Sequence, residues 1–152
     1  MQVSLLPIQI RDLEMIFHWR NHKEVAKWSA GEITMDDHWE WFLKGEKSFR
    51  WVFYLDNSPY GFIKFEPIDS IELLNTYRWS FYLNPFETNK PFGLGTLMLQ
   101  LAMTKLRTIL PDRFHILGEC HEDNIPSLKI HHRLGFKEIE PDREFRRFLK
   151  WL

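Results

Sequence analysis

A glycine-containing turn before a predicted helix is the part of this sequence best suited to bind a phosphate group. It reads Lys90-Pro91-Phe92-Gly93-Leu94-Gly95-Thr96, and apolar positions at helical spacing continue over 96–110. A Gly-x-Gly turn that opens a helix points several backbone N–H groups in one direction, and the helix N-terminus adds partial positive charge. Since Pro91 has no N–H, the candidate donors are the N–H groups of Phe92, Gly93, Leu94, Gly95 and Thr96.

A second polar pattern, Asn124-x-x-Ser127-x-x-x-His131-x-x-x-Gly135-Phe136, lies further along the chain. Asn124 can cap a helix predicted over 125–134, and Gly135 can end it. Ser127 and His131 are four residues apart and therefore share one face of that helix. An imidazole with an ordinary pKa of about 6.5 can donate a proton near neutral pH. His131 is therefore either a catalytic acid or a histidine that only packs on the helix face.

Hydrophobic spacing predicts one α/β domain over 1–152, in which strands and helices alternate irregularly. Segments with strand character lie at 3–10, 51–55, 60–66, 75–83, 114–119, 137–140 and 145–151. Helices are predicted after Asp12, in a short turn that ends near Trp28, and over 35–44, 96–110 and 125–134. The expected architecture is a mixed, twisted sheet of about seven strands with helices on both faces.

Composition excludes several classes of function. The chain has a formal net charge of -1 and no long basic run, so we expect no nucleic-acid partner. No apolar stretch reaches the ~20 residues that span a bilayer, and the N-terminus lacks the pattern of a signal peptide. We therefore expect a cytoplasmic protein without a membrane partner. The single cysteine, Cys120, fits a reducing compartment, and no spacing of ligand residues predicts a metal site.

The two polar segments resemble two motifs of the GNAT superfamily of N-acetyltransferases. The first family motif reads Arg/Gln-x-x-Gly-x-Gly/Ala at the start of a helix, and residues 90–95 occupy its positions here. The second reads Asn-x-x-Ala-x-x-x-Tyr-x-x-x-Gly-Phe, and this chain has Ser127 in place of Ala and His131 in place of Tyr. The order of strands and helices over nearly the whole chain is also similar to that family.

The resemblance implies an enzyme that uses acetyl-CoA as its acetyl donor. Pantetheine would lie in a V-shaped opening between the strands at 79–83 and 114–119 and pair with the backbone of the first. The diphosphate would bind the glycine-containing turn, and Asn124 would contact the pantetheine arm. The residues implied in coenzyme binding are Phe81, Tyr82, Leu83, Lys90, Phe92, Gly93, Leu94, Gly95, Thr96, Asn124 and Ser127.

A narrower resemblance concerns the amine acceptor. PseH-type enzymes acetylate the 4-amino group of a UDP-linked amino sugar, and short segments of this chain are similar to them: Trp19-Arg20-Asn21-His22 with Trp28, Ile33-Thr34 with His38, and Tyr82-Leu83-Asn84-Pro85-Phe86. The resemblance implies a small-molecule acceptor, a nucleotide-sugar, bound by Arg20, Asn21, His22, Trp28 and Tyr82. Arg20 would pair with a phosphate, or else form a surface ion pair with Glu24.

Three alternatives stay open. RimJ/RimL-type acetyltransferases of ribosomal-protein N-termini share the general layout, so the acceptor could instead be a protein N-terminus or a polyamine. A domain that binds acetyl-CoA without turnover is the third possibility, because His131 replaces the usual Tyr. A homodimer is compatible with the sequence and is not specified by it.

Acetyl transfer to an amine requires an amine free of its proton, donors for the developing oxyanion, and an acid for the leaving thiolate. The resemblance assigns the acid role to the residue at position 131, so His131 is the predicted acid. His38 and Glu66 are the candidate bases. His38 matches the narrower family, whereas a solvated strand-end carboxylate is the alternative for Glu66.

Overall fold

A computed structural model of the chain describes residues 1–45, 47–69 and 73–152. Within these residues there are seven strands, five α-helices and a 3-10 turn at Ile10–Asp12. The strands are β1 (Val3–Pro7), β2 (Phe49–Leu55), β3 (Ser58–Ile68), β4 (Thr76–Leu83), β5 (His115–His121), β6 (Lys137–Asp142) and β7 (Phe145–Trp151). The helices are α1 (Leu13–Asn21), α2 (Lys23–Ala26), α3 (Met35–Lys44), α4 (Leu94–Ile109) and α5 (Ile125–Arg133).

The strands form one mixed sheet in the order β1-β2-β3-β4-β5-β7-β6. β4 and β5 pair in parallel, whereas the β1–β2, β5–β7 and β6–β7 pairs are antiparallel. The predicted α/β class and the mixed seven-stranded sheet are therefore confirmed, and the chain forms a single domain of this class.

Some element boundaries differ from the prediction, each for a local reason. β1 ends at Pro7, and the Asp12 carboxylate accepts a hydrogen bond from the Gln9 N–H at 2.9 Å, closing a 3-10 turn where strand and helix were expected to meet. α4 begins at Leu94, two residues early, because Gly93 adopts the left-handed conformation that starts it. β5 continues to His121, since its last residues pair with β7.

Within the domain, backbone contacts group the residues into two compact units. Unit 1 contains Met1–Lys64 and Phe81–Phe92. Its core joins α1 to the sheet through Ile16, Trp19, Val52 and Phe62. The Thr34 hydroxyl caps α3 by accepting from the Asp37 N–H at 3.1 Å, as predicted for this residue.

Unit 2 contains Phe65–Ser80 and Gly93–Leu152. α4 buries one face, built from Met98, Leu99, Ala102 and Leu106. β5 contributes the buried Ile116 and Leu117, which point to opposite faces of the sheet, and β7 contributes the buried Phe148. Both ends of α5 lie in this unit, so the second polar pattern of the sequence is contained in it. Among the helices of the described residues, none has the length and apolar character needed to cross a bilayer.

Candidate active site

The start of α4 presents backbone donors without partners inside the helix. Gly93 has φ 79° and precedes the helix, and the Leu97 N–H donates to the Gly93 carbonyl at 3.0 Å as the first helical bond. The N–H groups of Leu94, Gly95 and Thr96 therefore lack an intrahelical acceptor. No side chain caps this end, and its first turn carries no acidic residue. The geometry is that of an anion-binding helix terminus.

The backbone angle at position 93 favours glycine. A Cβ built there would meet no atom within 4 Å, so space is not limiting. A positive φ of this kind costs residues with a side chain roughly 1–2 kcal/mol. Gly93 therefore lets the predicted turn form at little conformational cost.

Arg133 lies beside the same helix terminus and was not singled out from the sequence. Its guanidinium donates to the Thr96 hydroxyl at 3.2 Å, linking the last turn of α5 to the first turn of α4. A cation next to the positive end of a helix is unfavourable alone, and an anion between the two would be favoured. Basic residues commonly end helices, so no sequence pattern distinguishes Arg133 from ordinary surface charge.

Lys90 and Asn84 organise the loop that leads toward the turn. The Lys90 ammonium donates to the Asn84 carbonyl at 2.8 Å, and the Asn84 side chain accepts from the Phe86 N–H at 2.9 Å. The structure thus gives Lys90 a loop-closing bond, whereas the resemblance implied coenzyme contact. Phe92, two residues further along, is 99% exposed.

β4 leaves its parallel pairing part-way along. The register with β5 runs from Thr76–His115 to Arg78–Leu117. At this end of the register the Arg78 Nε donates to the Glu119 carboxylate at 2.7 Å. Three residues predicted to pair with pantetheine lie beyond the last pair: Phe81, Tyr82 and Leu83.

Tyr82 keeps its proton over the whole neutral range. Burial raises the pKa of its phenol, and the nearby positive charge of Arg20 opposes this only in part. Its ring packs against Phe62 with centroids 5.5 Å apart. Tyr82 is therefore a neutral aromatic group within unit 1.

The first turn of α5 is held by Asn124. The Asn124 side chain accepts from the Ser127 N–H at 3.4 Å, as its predicted capping role requires. The Ser127 side chain also hydrogen-bonds to Cys120 on β5, whose thiol has its pKa raised by burial. Asn124, predicted to contact the pantetheine arm, and Ser127, predicted to bind the coenzyme, therefore lie together.

His131 is enclosed, with about 1% of its surface exposed. Its Nδ1 lies 2.8 Å from the Ser127 carbonyl, and its Nε2 lies 3.0 Å from the indole Nε1 of Trp79. Burial lowers the pKa of the imidazole to about 4. This placement does not support the predicted acid role, because the ring is neutral near pH 7 and its N–H is already donated inside the protein.

The two candidate bases lie in different units. In unit 1, His38 is buried, its Nε2 donates to the Leu13 carbonyl at 2.8 Å, and its ring stacks on Trp41. Burial lowers the pKa of His38, partly opposed by that hydrogen bond, which weakens it as a base. In unit 2, Glu66 lies half-buried near the end of β3.

Two of the predicted acceptor residues of unit 1 bond the loop between α2 and α3. The Arg20 guanidinium donates to the Gly31 carbonyl at 2.8 Å. The Asn21 amide bonds both backbone groups of Ile33, each at 2.8 Å. These bonds give the two polar residues at the end of α1 partners in the loop that follows α2.

His22 and Trp28 flank α2. The His22 Nδ1 accepts from the Glu24 N–H at 3.1 Å, and its ring lies edge-on to Phe86 at 5.0 Å. Trp28 is partly exposed and carries the Lys27 ammonium 5.2 Å from its ring. Glu24 pairs with Lys27 at 2.8 Å, so the predicted alternative of a Glu24 pair with Arg20 is not the arrangement seen.

Within the described part of the chain, no group of three or more His, Cys, Asp or Glu side chains is arranged to hold a metal ion.

Comparison with known proteins gives one family and a set of similar folds. The sequence model of the acetyltransferase (GNAT) domain family matches residues 2–137 of the chain. No curated protein sequence matches the chain significantly.

Three solved structures illustrate the similarity of fold. Spermidine N-acetyltransferase from Vibrio cholerae, in complex with CoA and spermine, has a TM-score of 0.82 at 16% identity, over 99% of this chain and 95% of that one. Aminoglycoside acetyltransferase AAC(6')-Ib, with coenzyme A and kanamycin, has a TM-score of 0.80 at 19% identity, over 98% and 94%. An acetyltransferase from Salmonella typhimurium that modifies the N-terminal serine of ribosomal protein L7/L12 has a TM-score of 0.80 at 13% identity, over 99% and 95%.

Proposed function

Because this chain belongs to the acetyltransferase (GNAT) family, we propose that its α4 turn holds the diphosphate of acetyl-CoA for transfer to a primary amine. The protein is an acetyl-CoA-dependent N-acetyltransferase. The observation that carries the coenzyme placement is the uncapped start of α4, with donors at Leu94, Gly95 and Thr96 and Arg133 beside them. A diphosphate supplies the negative charge that this arrangement favours.

In the reaction the amine nitrogen attacks the thioester carbonyl carbon. The new C–N bond forms, the C–S bond breaks, the amine loses a proton, and the coenzyme leaves as a thiolate that takes one up. Backbone N–H groups of β4 near Tyr82 are our proposed donors to the oxyanion, since fixed dipoles lower the energy of developing charge. Gly93 to Thr96 orient the coenzyme and take no part in proton transfer.

The acceptor we propose is a UDP-linked 4-amino sugar. The short resemblance at Trp19 to Trp28, His38 and Tyr82 to Phe86 supports it. So does the charge of Arg20, which acts on both His38 and Tyr82, although burial is the larger influence on both pKa values. A fixed positive charge attracts a pyrophosphate and repels a polyamine. The CoA-bound relatives that act on spermidine and aminoglycosides show that cationic acceptors also occur on this fold.

A panel of acceptor amines tests both the proposed acetyl transfer and the proposed identity of the acceptor. Release of free CoA thiol is followed with acetyl-CoA and, in turn, a UDP-linked 4-amino sugar, spermidine, kanamycin and a peptide with a free N-terminal serine. We expect turnover with the amino sugar and little with the others. Turnover with the peptide or spermidine alone would contradict the acceptor proposal while supporting acetyl transfer. No CoA release with any amine, despite acetyl-CoA binding, would favour a non-catalytic binding module.

A further inference from the structure

We propose that His131 is a positioning residue whose neutral ring joins β4 to the first turn of α5 and so holds Asn124 and Ser127, the residues of that turn predicted to bind the coenzyme. The inference rests on the proposed coenzyme placement and replaces the acid role for this residue.

Its hydrogen-bond partners determine which nitrogen of His131 carries the proton. The Ser127 carbonyl can only accept, so Nδ1, at 2.8 Å, must be the N–H donor. The indole of Trp79 can only donate, so Nε2, at 3.0 Å, must carry the lone pair. A second proton on Nε2 would face the Trp79 N–H and break that bond. The ring is therefore fixed in its neutral Nδ1–H form.

Packing fixes the ring as firmly as the hydrogen bonds do. Phe148 stacks on it with centroids 4.9 Å apart and planes 20° apart, and Phe136 meets it edge-on at 5.1 Å. Gly118 of β5 lies against it, and a Cβ at that position would overlap with Nε2 of His131. The imidazole therefore occupies a slot that glycine leaves open in β5, and it has no room to turn toward a substrate.

The bonded chain of groups leads from the sheet to the proposed coenzyme contacts. Trp79 belongs to β4, and it lies one residue past the end of the parallel pairing with β5. The Trp79 indole donates to His131, and His131 donates to the Ser127 carbonyl. The Asn124 side chain in turn accepts from the Ser127 N–H. Removing the ring polarity at position 131 should therefore loosen the start of α5 and weaken coenzyme binding.

Steady-state kinetics distinguish a positioning role from an acid role. For His131→Phe we expect the KM for acetyl-CoA to rise about tenfold, while kcat changes less than about threefold. His131→Gln, whose amide can both donate and accept, should recover part of that loss. Trp79→Phe should raise the same KM, because it removes the other end of the bond. His132→Phe, at the exposed neighbouring position, should leave both constants unchanged.

A loss in kcat of about 100-fold with an unchanged KM in a folded His131→Phe enzyme would overturn the proposal and restore the acid role. Nitrogen NMR of the wild-type protein gives a second readout that needs no variant. We expect Nδ1 protonated and Nε2 unprotonated, with no titration between about pH 6 and about pH 8. A ring that titrates in this range, or one protonated at Nε2, would also overturn it. Failure of the wild type to bind acetyl-CoA would instead contradict the proposed function and leave the NMR result standing.

Discussion

Arg20 and Asn21 are neighbours on α1 that hold the same loop by different chemistry. Arg20 bonds the Gly31 carbonyl with a charged group, and Asn21 bonds both backbone groups of Ile33 with a neutral amide. An acceptor with a pyrophosphate would distinguish them, because only the guanidinium offers a charge-assisted bond to phosphate. Comparing variants of Arg20 and Asn21 therefore tests the proposed acceptor.

We expect Arg20→Ala to raise the KM for a UDP-linked amino sugar about tenfold more than Asn21→Ala does, with the KM for acetyl-CoA nearly unchanged in both. Both variants lose an anchor of the 31–33 loop, so loop loosening affects them alike. The measurement is initial-rate kinetics with the acceptor varied at saturating acetyl-CoA. Equal increases in the two variants would show that Arg20 acts only by holding the loop.

At the scale of elements, the phosphate-binding turn depends on two helices. α4 supplies the N–H donors and partial charge, while α5 brings Arg133 to the Thr96 hydroxyl. Arg107 is a suitable control, since it is exposed and lies in the last turn of the same α4. A charge in the last turn of α4 interacts with the negative C-terminal pole of the helix and lies far from the phosphate-binding turn.

Arg133→Gln should weaken acetyl-CoA binding by about two- to fivefold at low ionic strength, the scale of one exposed charge at a helix end. Isothermal titration calorimetry in low and high salt measures the effect. The difference from wild type should shrink as salt is added, because exposed charges are screened. Arg107→Gln should bind as wild type does. A loss for Arg107→Gln equal to that for Arg133→Gln would indicate general electrostatics and no specific contact.

The helices and strands can be predicted well from the sequence, but hydrogen bonds between side chains far apart in the chain cannot. Local signals predicted the Thr34 cap, the Gly93 turn and the Asn124 cap, because each depends on residues within a few positions. The bond between Trp79 and His131 joins residues far apart in the chain. No spacing rule specifies such a bond, and helical periodicity alone could not show that the ring would be buried. The predicted site residues stay predictions, and the positioning role proposed for His131 takes the place of its predicted acid role.

Across the whole molecule, buried neutral histidines make stability depend on pH. The pKa of His131 falls from 6.5 to about 4 on folding, and burial also lowers the pKa of His38. A group with a depressed folded pKa binds its proton more readily in the unfolded chain below pH 6.5. Its stabilising contribution is therefore complete above 6.5 and lost as the pH falls toward 4.

For His131 this loss amounts to about 3 kcal/mol, since one pKa unit corresponds to about 1.4 kcal/mol. We expect urea unfolding of the wild type to show a steeper fall in the free energy of unfolding between about pH 7 and about pH 4.5 than His131→Phe shows. His132→Phe should keep most of the wild-type slope, because burial is the main cause of the lowered pKa of His131 and the charge of His132 contributes least. Identical slopes for wild type and His131→Phe would mean that this ring does not stay neutral in the folded protein.

The most direct test of the central claim, that the start of α4 holds the coenzyme diphosphate, is calorimetric acetyl-CoA binding by Thr96→Asp. A carboxylate in the first turn of a helix favours the helix and can pair with Arg133, so this variant should unfold no more easily than the wild type. The same carboxylate would repel a diphosphate at the turn. Thr104→Asp, exposed two turns further along the same helix, makes the same substitution away from the phosphate-binding turn. We expect Thr96→Asp to bind acetyl-CoA at least about tenfold more weakly than the wild type, a cost of about 1.4 kcal/mol, with Thr104→Asp nearly unchanged. A folded Thr96→Asp protein with wild-type affinity would contradict the account.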